Sequence, residues 1–578
     1  MSHVRARDYE YYARHELKYR RSKEEKDRKI LKDAGIKIER NVFVGLSRVN
    51  VAELHKPDLL HNVYLGLFKH LMEWVEGFLK THGREQAFND VWKSLPPYPG
   101  FFVPKKAYYE ITQWQGKEMR NLGRCISGVL ASALRNPNPA KQQMFKRALT
   151  CVNSLVNFSL MAQYRSHTPE TLDYMDSYLD EFHRTKDVFL EFRVSKRTKA
   201  KANEQDKTLR HEQSQRMNTC KLTRTKRVRL AEDNRVERSD VRRELIHEES
   251  HFNFIKMHLV THFRRHVERF GNIPMFSTDV GEIAHKEQIK EGWRKSNKNN
   301  AARQILHHYS RQHAIGMRIQ TLATIEREYG ADKFPDIKDV HTTSASVLST
   351  SIMAHIQEPF PVAQPVTPRR ILRGRRPGIK NLVDFCLDVG LSLDTISNEL
   401  SRYSRKNLED TRRLPADVYG LQFLPLEQFT QLQIPVPAFQ EPDKYDIHHA
   451  RCTGTRTFRN GGSRNDWVWV RFGSEEDYGA LHGRIPARLM GLIKLRNKPN
   501  ENIENVHRLA IVRVLDVVNN GHVSDKDTFV RVKTSTAIRQ LWIVDIGTIT
   551  GQAHLIADGN GRWLINSRID LRTFNEIY

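Results

Sequence analysis

From about residue 426 to its end, this chain repeats apolar side chains at every second position; before that point they recur every third or fourth. The runs DWVWVRF, LAIVRVL, TFVRVK, LWIVDIGTI and AHLIAD alternate in this way, and Asn-Asn-Gly, Gly-Ser and Gly-Asn-Gly break them. Period two places successive side chains on opposite faces of a strand, and glycine-rich breaks supply the tight turns of hairpins. A small antiparallel β-barrel or sandwich is therefore expected over 426–578, attached to a mainly α protein.

The α-rich part is read from helical spacing. In LLHNVYLGLFKHLMEWVEGFLKTHG, Leu60, Tyr64, Leu67, Leu71, Val75 and Phe78 fall on one face, and Gly83 is the expected stop. Further helices are expected through WQGKEMRNLGRCISGVLASALR and MFKRALTCVNSLVNFSLMAQY, with another starting at Thr168-Pro169-Glu170. Residues 1–50 open as a charged helical arm from Arg5 to about Ile38, too poor in apolar positions to bury a core alone. The helical body occupies 51–192. Residues 193–245 are basic and nearly free of large apolar side chains, which predicts a disordered linker or insertion; its alternatives are phosphate contact and simple solvation. Helix resumes over 246–345, a Pro/Arg-rich linker spans 346–380, and a helical segment follows at 381–425.

Charge narrows the partner. Ninety-four Lys and Arg stand against 68 Asp and Glu, a formal +26, which suits a polyanion such as nucleic acid. No run reaches the ~18 apolar residues of a membrane helix, and the charged N-terminal sequence is not a secretory signal. The five cysteines are far apart and form no CxxC, so neither a disulfide framework nor a cysteine zinc site is expected. The expected location is intracellular, nuclear if DNA is the partner, and not secreted. Phosphate-loop, dinucleotide and nucleophile-elbow motifs are absent from the sequence.

Four constellations could carry chemistry. In HKPDLLH, Asp58 and His61 lie one helical turn apart and can meet in a site, although Asp58 also suits a helix cap. In STDVGEIAHKE, Glu282 and His285 share a face, and a capping box from Asp279 to Glu282 is the simpler account. Lys290, Trp293, Arg294, Lys295 and Lys298 follow directly, cations around an aromatic that suit a phosphate backbone and an unpaired base. The helix FNFIKMHLVTHFRRHVERFG repeats His258, His262 and His266 every fourth residue beside Lys256, Arg264 and Arg265. These are readable as polar surface, phosphate contacts or an unspecific metal stripe. Finally, Arg373, Arg375 and Arg376 in RGRRPG could enter a narrow minor groove.

Taken in order, these segments resemble fungal transposon proteins of the Plavaka type, relatives of CACTA transposases. HKPDLLHNVYLGLFKHLMEW is similar to the family's D-x-x-H helix. Asn253, Lys256, His258 and His262 resemble its N-x-x-K-x-H-x-x-x-H segment. MFSTDVGEIAHKEQIKEGWRKSNKNNAARQI resembles the stretch holding the last catalytic carboxylate, and VDIGTITGQAHLI with WLINSRIDLRTFNEIY resembles the C-terminal β-module. The resemblance implies an RNase H-like DDE nuclease with a helical insertion, in which carboxylates hold two Mg²⁺ ions for in-line displacement. Glu282 would be the terminal, metal-binding Glu with His285 beside it, and Asp58 and His61 the D-x-x-H element.

The family's two catalytic aspartates sit on strands upstream of that element. Before Asp58 this chain offers Asp8, Asp27 and Asp33, all in charged helical sequence. The expectation is thus an N-terminally truncated transposase that binds DNA without autonomous strand cleavage, needing no cofactor unless Mg²⁺ serves a catalytic form. Its partners are the DNA backbone and a complete transposase subunit, with no membrane. The rival readings are an active Mg²⁺-dependent nuclease using Glu282 with partner carboxylates, and a host-adopted chromatin or scaffold protein. A DDE remnant would bring Asp58, His61 and Glu282 to one cleft.

Overall fold

The computed structural model describes residues 9–33, 56, 58–103, 106–111, 114–192, 252, 254–329, 368–408, 414–415, 417–456, 462–474, 481–496, 506–518, 529–536 and 540–577. The basic stretch 193–245 and most of the Pro/Arg-rich linker lie outside them. Contacts divide the chain into two compact units, one comprising 1–73, 161–180 and 190–277, the other 74–160, 181–189 and 278–578.

The first unit opens with α1 (Tyr9–Ser22) and α2 (Glu25–Asp33). The expected single arm is a helical hairpin, because Lys23 adopts a left-handed conformation and ends the first helix. His15 pairs with the buried Asp27 across it. The segment α3 (Leu59–Phe68) is π-helical and continues into α4 (Lys69–Thr81), whose residues from Trp74 onward are counted with the second unit. All six residues of the expected apolar face, Leu60 to Phe78, are buried, and Gly83 takes the left-handed conformation that closes the helix. Leu172, Met175 and Leu179 of α8 (Pro169–Thr185) are buried too, as are Met257 of α9 (Ile255–Leu259) and Phe263 of α10 (Phe263–Phe270). A 3₁₀ turn over Val260–His262 joins α9 to α10.

The second unit holds α5 (Glu85–Lys93), α6 (Gly116–Ala133) and α7 (Pro139–Met161). It also holds α11 (Asp279–His285), α12 (Glu291–Lys295) and α13 (Ala301–Tyr329), and then the C-terminal module. The module starts earlier than its alternating sequence. Strand β1 (Ile371–Arg376) precedes three helices, α14 (Leu382–Val389), α15 (Leu393–Asn407) and α16 (Val418–Gln422), and then pairs with β2 (Leu426–Ala438). The strands that follow are β3 (Glu441–Arg451), β4 (Trp467–Arg471), β5 (Arg484–Arg496), β6 (Val506–Val517), β7 (Arg531–Thr534), β8 (Leu541–Asp545), β9 (Ile549–Gln552), β10 (Leu555–Gly559) and β11 (Arg562–Ile565); α17 (Leu571–Ile577) ends the chain.

All the described pairings are antiparallel and run β1-β2-β5-β6-β7-β11-β10, with β3 on β2, β4 on β5 and β9, and β8 on β6. The antiparallel sheet expected as a barrel or sandwich is present, and it is not closed into a barrel. Strand β6 divides one edge between β8, opposite 509–513, and β7, opposite 515–517, so the sheet branches there and does not close. Pro435 and Pro437 of β2 lie beyond the span paired with β1, which ends at Gln433. One face of the sheet is covered by α14–α16 through Phe385, Ile396, Leu400 and Leu421, which pack on Ile493, Leu509, Ile511 and Ile543. The other face buries Leu432, Ile434, Val468, Leu489 and Val512. Within this unit α6 also joins the sheet, since Ser132 Oγ donates to the Ala557 carbonyl at 2.7 Å.

Candidate functional site

Asp58 stands in extended conformation at the head of α3, and both of its carboxylate oxygens are engaged. Oδ1 accepts the Leu60 N–H at 3.2 Å and Oδ2 the His61 N–H at 2.8 Å, which makes Asp58 a helix cap. His61 Nδ1 lies 2.8 Å from the same Oδ2. The Asp58 side chain is buried while that of His61 is 45% exposed. A carboxylate acceptor places the ring proton on Nδ1 and so fixes the orientation of the imidazole. Capping and an oriented Asp–His pair are thus one arrangement, not alternatives.

Helices α9 and α10 lie antiparallel to α3. His70 meets the Phe254 ring edge-on at 4.9 Å, Lys256 Nζ donates to the Leu65 carbonyl at 3.4 Å, and Lys56 stands over the Phe270 ring. Gly66 permits this approach: a Cβ there would come within 2.6 Å of Lys256 Cδ, and closer still to the His61 carbonyl oxygen that the π-helical turn leaves beside it. Burial lowers the pKa of both Lys56 and Lys256, and Lys69 adds to the effect on Lys256.

The histidine stripe forms as expected. His258 and His262 share a hydrogen bond between their Nε2 atoms at 3.0 Å, so one of the two rings is neutral. Burial lowers the pKa of His262, with His258 and Arg265 adding repulsion. His266 is driven down to about 4 by burial first, then by Lys56, His262 and Arg265, and its Nδ1 is buried without a hydrogen-bond partner. Arg264 bonds Asp173 at 2.6 Å, Asp176 at 3.1 Å and Glu268 at 2.8 Å. Its charge is therefore already met by carboxylates, while Arg265 is exposed.

The remaining candidates belong to the second unit. Thr278, not Asp279, is the cap residue of α11, and Asp279 ion-pairs with Arg120 at 2.6 Å, so the expected capping box is absent. Glu282 and His285 are exposed on α11. Lys290, Trp293, Arg294, Lys295 and Lys298 form an exposed run, with Gly292 packed under Ile305 and the Trp293 ring 46% exposed.

The three linker arginines fall on β1. Arg373 Nε donates to Gln433 at 3.4 Å, and Arg375 pairs with Glu427 at 3.0 Å. Arg376 holds both oxygens of the buried Asp388, at 3.0 and 3.2 Å. Arg456 and Gln428 donate to the same carboxylate, which ties β1 to α14.

Asp58, His61 and the histidine stripe thus belong to one unit and Glu282 and His285 to the other. Among the described residues, no group of three or more His, Cys, Asp or Glu is arranged to hold a metal ion. With both Asp58 oxygens engaged and Glu282 exposed, these residues do not fit a two-Mg²⁺ site. Sequence spacing carries no signal for Lys56 or for a basic groove beside α15, whose cations and aromatics come from segments more than sixty residues apart.

Residues 4–75 match the family model of the Plavaka transposase, a span that includes Asp58 and His61 and stops before Glu282. No curated protein and no solved structure matches the chain.

Proposed function

We propose that this chain, Plavaka-type transposase sequence over residues 4–75, is a transposon-derived DNA-binding protein that does not cleave strands by itself. The family match carries the reading, and the +26 charge supports it, since each phosphate neutralised by Lys or Arg releases counterions. On this reading the helical segments at 51–192 and 246–345 are the remnant of an RNase H-like nuclease. Asp58 and His61 retain the family's D-x-x-H element as an oriented pair, and the Lys290–Lys298 run with Trp293 is a second contact surface. A protein acting in this way works on nuclear DNA.

Purified full-length chain is titrated with labelled duplex DNA at low and moderate salt, and supercoiled plasmid is incubated with it in Mg²⁺. Contact with ~6–10 phosphates predicts an affinity loss of ~10³–10⁵-fold between 50 and 200 mM salt. Binding that is absent at low salt, or insensitive to salt, overturns the DNA-binding reading. Mg²⁺-dependent nicking that disappears in Glu282→Ala overturns the absence of cleavage.

A further inference from the structure

We propose that the groove between α15 and the β8 end of the sheet binds a single-stranded nucleic-acid segment, its phosphates on Arg402, Arg405, Lys406 and Arg471 and a base against Trp542. The proposal rests on the DNA-directed reading above and gives the C-terminal module a role of its own within it.

The groove has a volume of about 810 Å³ and is lined by those five residues with Phe472, Tyr403 and Asp545. Helix α15 supplies one wall. Cations in a last helical turn are ordinary, because they complement the helix dipole, and Arg405 and Lys406 alone would mean no more than that. Arg471 is different: it stands exposed at the end of β4, on the far side of the groove, and owes nothing to that helix. Arg402 bonds Glu399 at 2.8 Å; the carboxylate is buried and the guanidinium 54% exposed, so the buried acid holds a cation that still points donors outward. Asp545 is the single carboxylate among the described lining residues, and its Oδ1 already accepts the Gly547 N–H at 2.6 Å. Burial and, second, Asp545 push the Tyr403 hydroxyl up to about 12, so it stays protonated, a neutral donor on the wall.

The groove is also aromatic. Phe472 and Trp542 meet edge-to-face at 5.1 Å, each partly buried against the sheet core and partly open to the groove. Cations and partly open aromatic rings lining one groove match an unpaired strand, whose backbone can meet the cations while a base meets a ring. In a duplex the bases are stacked inside, so it could use the cations but not the rings.

The test uses the full-length chain, a fluorescent oligothymidylate and a duplex of equal length. The Arg405→Glu/Lys406→Glu double variant changes two exposed residues, and thermal melting checks that it is folded. Single-strand affinity is expected to fall at least roughly tenfold and its salt dependence to flatten, with duplex affinity changed much less. A 5-iodouracil oligonucleotide irradiated on the wild-type chain is expected to crosslink to the peptide carrying Trp542 or Phe472. Unchanged single-strand affinity in the double variant, or crosslinks confined to other peptides, overturns the groove while duplex binding leaves the broader reading standing. A wild-type chain that binds neither DNA form overturns both.

Discussion

Asp58 Oδ2 accepts from both the backbone N–H and the ring Nδ1 of His61, each at 2.8 Å. A single buried oxygen therefore starts a helix and orients an imidazole. Replacing Asp58 with Ala removes a cap and leaves two backbone N–H groups and the His61 ring N–H without their acceptor, an expected loss of about 1–2 kcal/mol. Asn caps nearly as well, so Asp58→Asn should keep most of that stability while weakening the hold on His61. Urea unfolding of Asp58→Ala, Asp58→Asn and the Asp58→Ala/His61→Ala double variant measures both parts; equal losses for Ala and Asn would show that the charge, not the cap, matters.

Gly66 and Gly281 are both helical glycines and should respond in opposite directions. At Gly66 an added methyl meets the His61 carbonyl, which is backbone and cannot swing aside, and Lys256 Cδ. Gly66→Ala is expected to destabilise by about 1–3 kcal/mol, and Lys256→Ala should relieve only part of it. Nothing lies within 4 Å of a Cβ at Gly281. Gly281→Ala should stabilise the α11 region by up to ~1 kcal/mol. Thermal melts of the two single variants give the signs directly.

His554 carries a pH dependence with a defined direction. The Asn566 amide donates to the Arg124 carbonyl at 2.9 Å and to His554 Nδ1 at 3.1 Å, so Nδ1 is an acceptor and Nε2–H donates to the Pro96 carbonyl at 3.2 Å. Protonation would set a donor against the Asn566 donor. Burial, with repulsion from Arg124, outweighs the Pro96 carbonyl and Asp570 and holds the pKa at about 3. The folded pKa lies below the unfolded value, near 6.5. The unfolded chain therefore binds the extra proton between about pH 6.5 and 3, and stability present above pH 6.5 is lost as pH falls through that window. Unfolding of wild type and His554→Gln at pH 7.5 and 5 tests it: the gap between the two pH values should narrow in the variant.

Arg376 is expected to separate from its neighbours on β1. Its guanidinium holds the buried Asp388, whose other donors, Arg456 and Gln428, cannot replace both of its bonds. Arg376→Ala should cost about 1–3 kcal/mol, whereas Arg373→Ala, at an exposed site with one long hydrogen bond, should fall within about 0.5 kcal/mol of wild type. A DNA titration of the same variants shows whether either arginine also serves binding.

These sites also mark what the sequence could and could not reveal. The buried face from Leu60 to Phe78 was legible because burial follows the helical period directly. The alternating runs at 466–472, 509–515 and 541–549 were legible for the same reason, and β4, β6, β8 and β9 form there. Alternation says nothing about strand order, however, and the division of β6 between β7 and β8 is a matter of order, so the sequence leaves barrel and sandwich open. Strand β1 looked like a linker because four of its six residues are Arg or Gly, and it becomes a strand through a partner more than fifty residues away. Helical spacing placed Asp58 beside His61. It could not place Lys256 on the Leu65 carbonyl, a contact across 191 positions that needs a π-helical turn and a missing Cβ.

The early pairing of β1 decides where the C-terminal module can be cut. A fragment beginning at the first alternating residue, 426, would lose α14–α16 and bare Leu495, Leu509 and Ile543 on one face of its sheet. It would also strip β1 from β2, opening a row of unpaired backbone groups from Gln428 to Gln433, the kind of edge on which separate chains pair and aggregate. Domain exchange meets the same constraint: a crossover placed between β1 and β2 separates Arg376 from Gln428, two of the donors that hold Asp388.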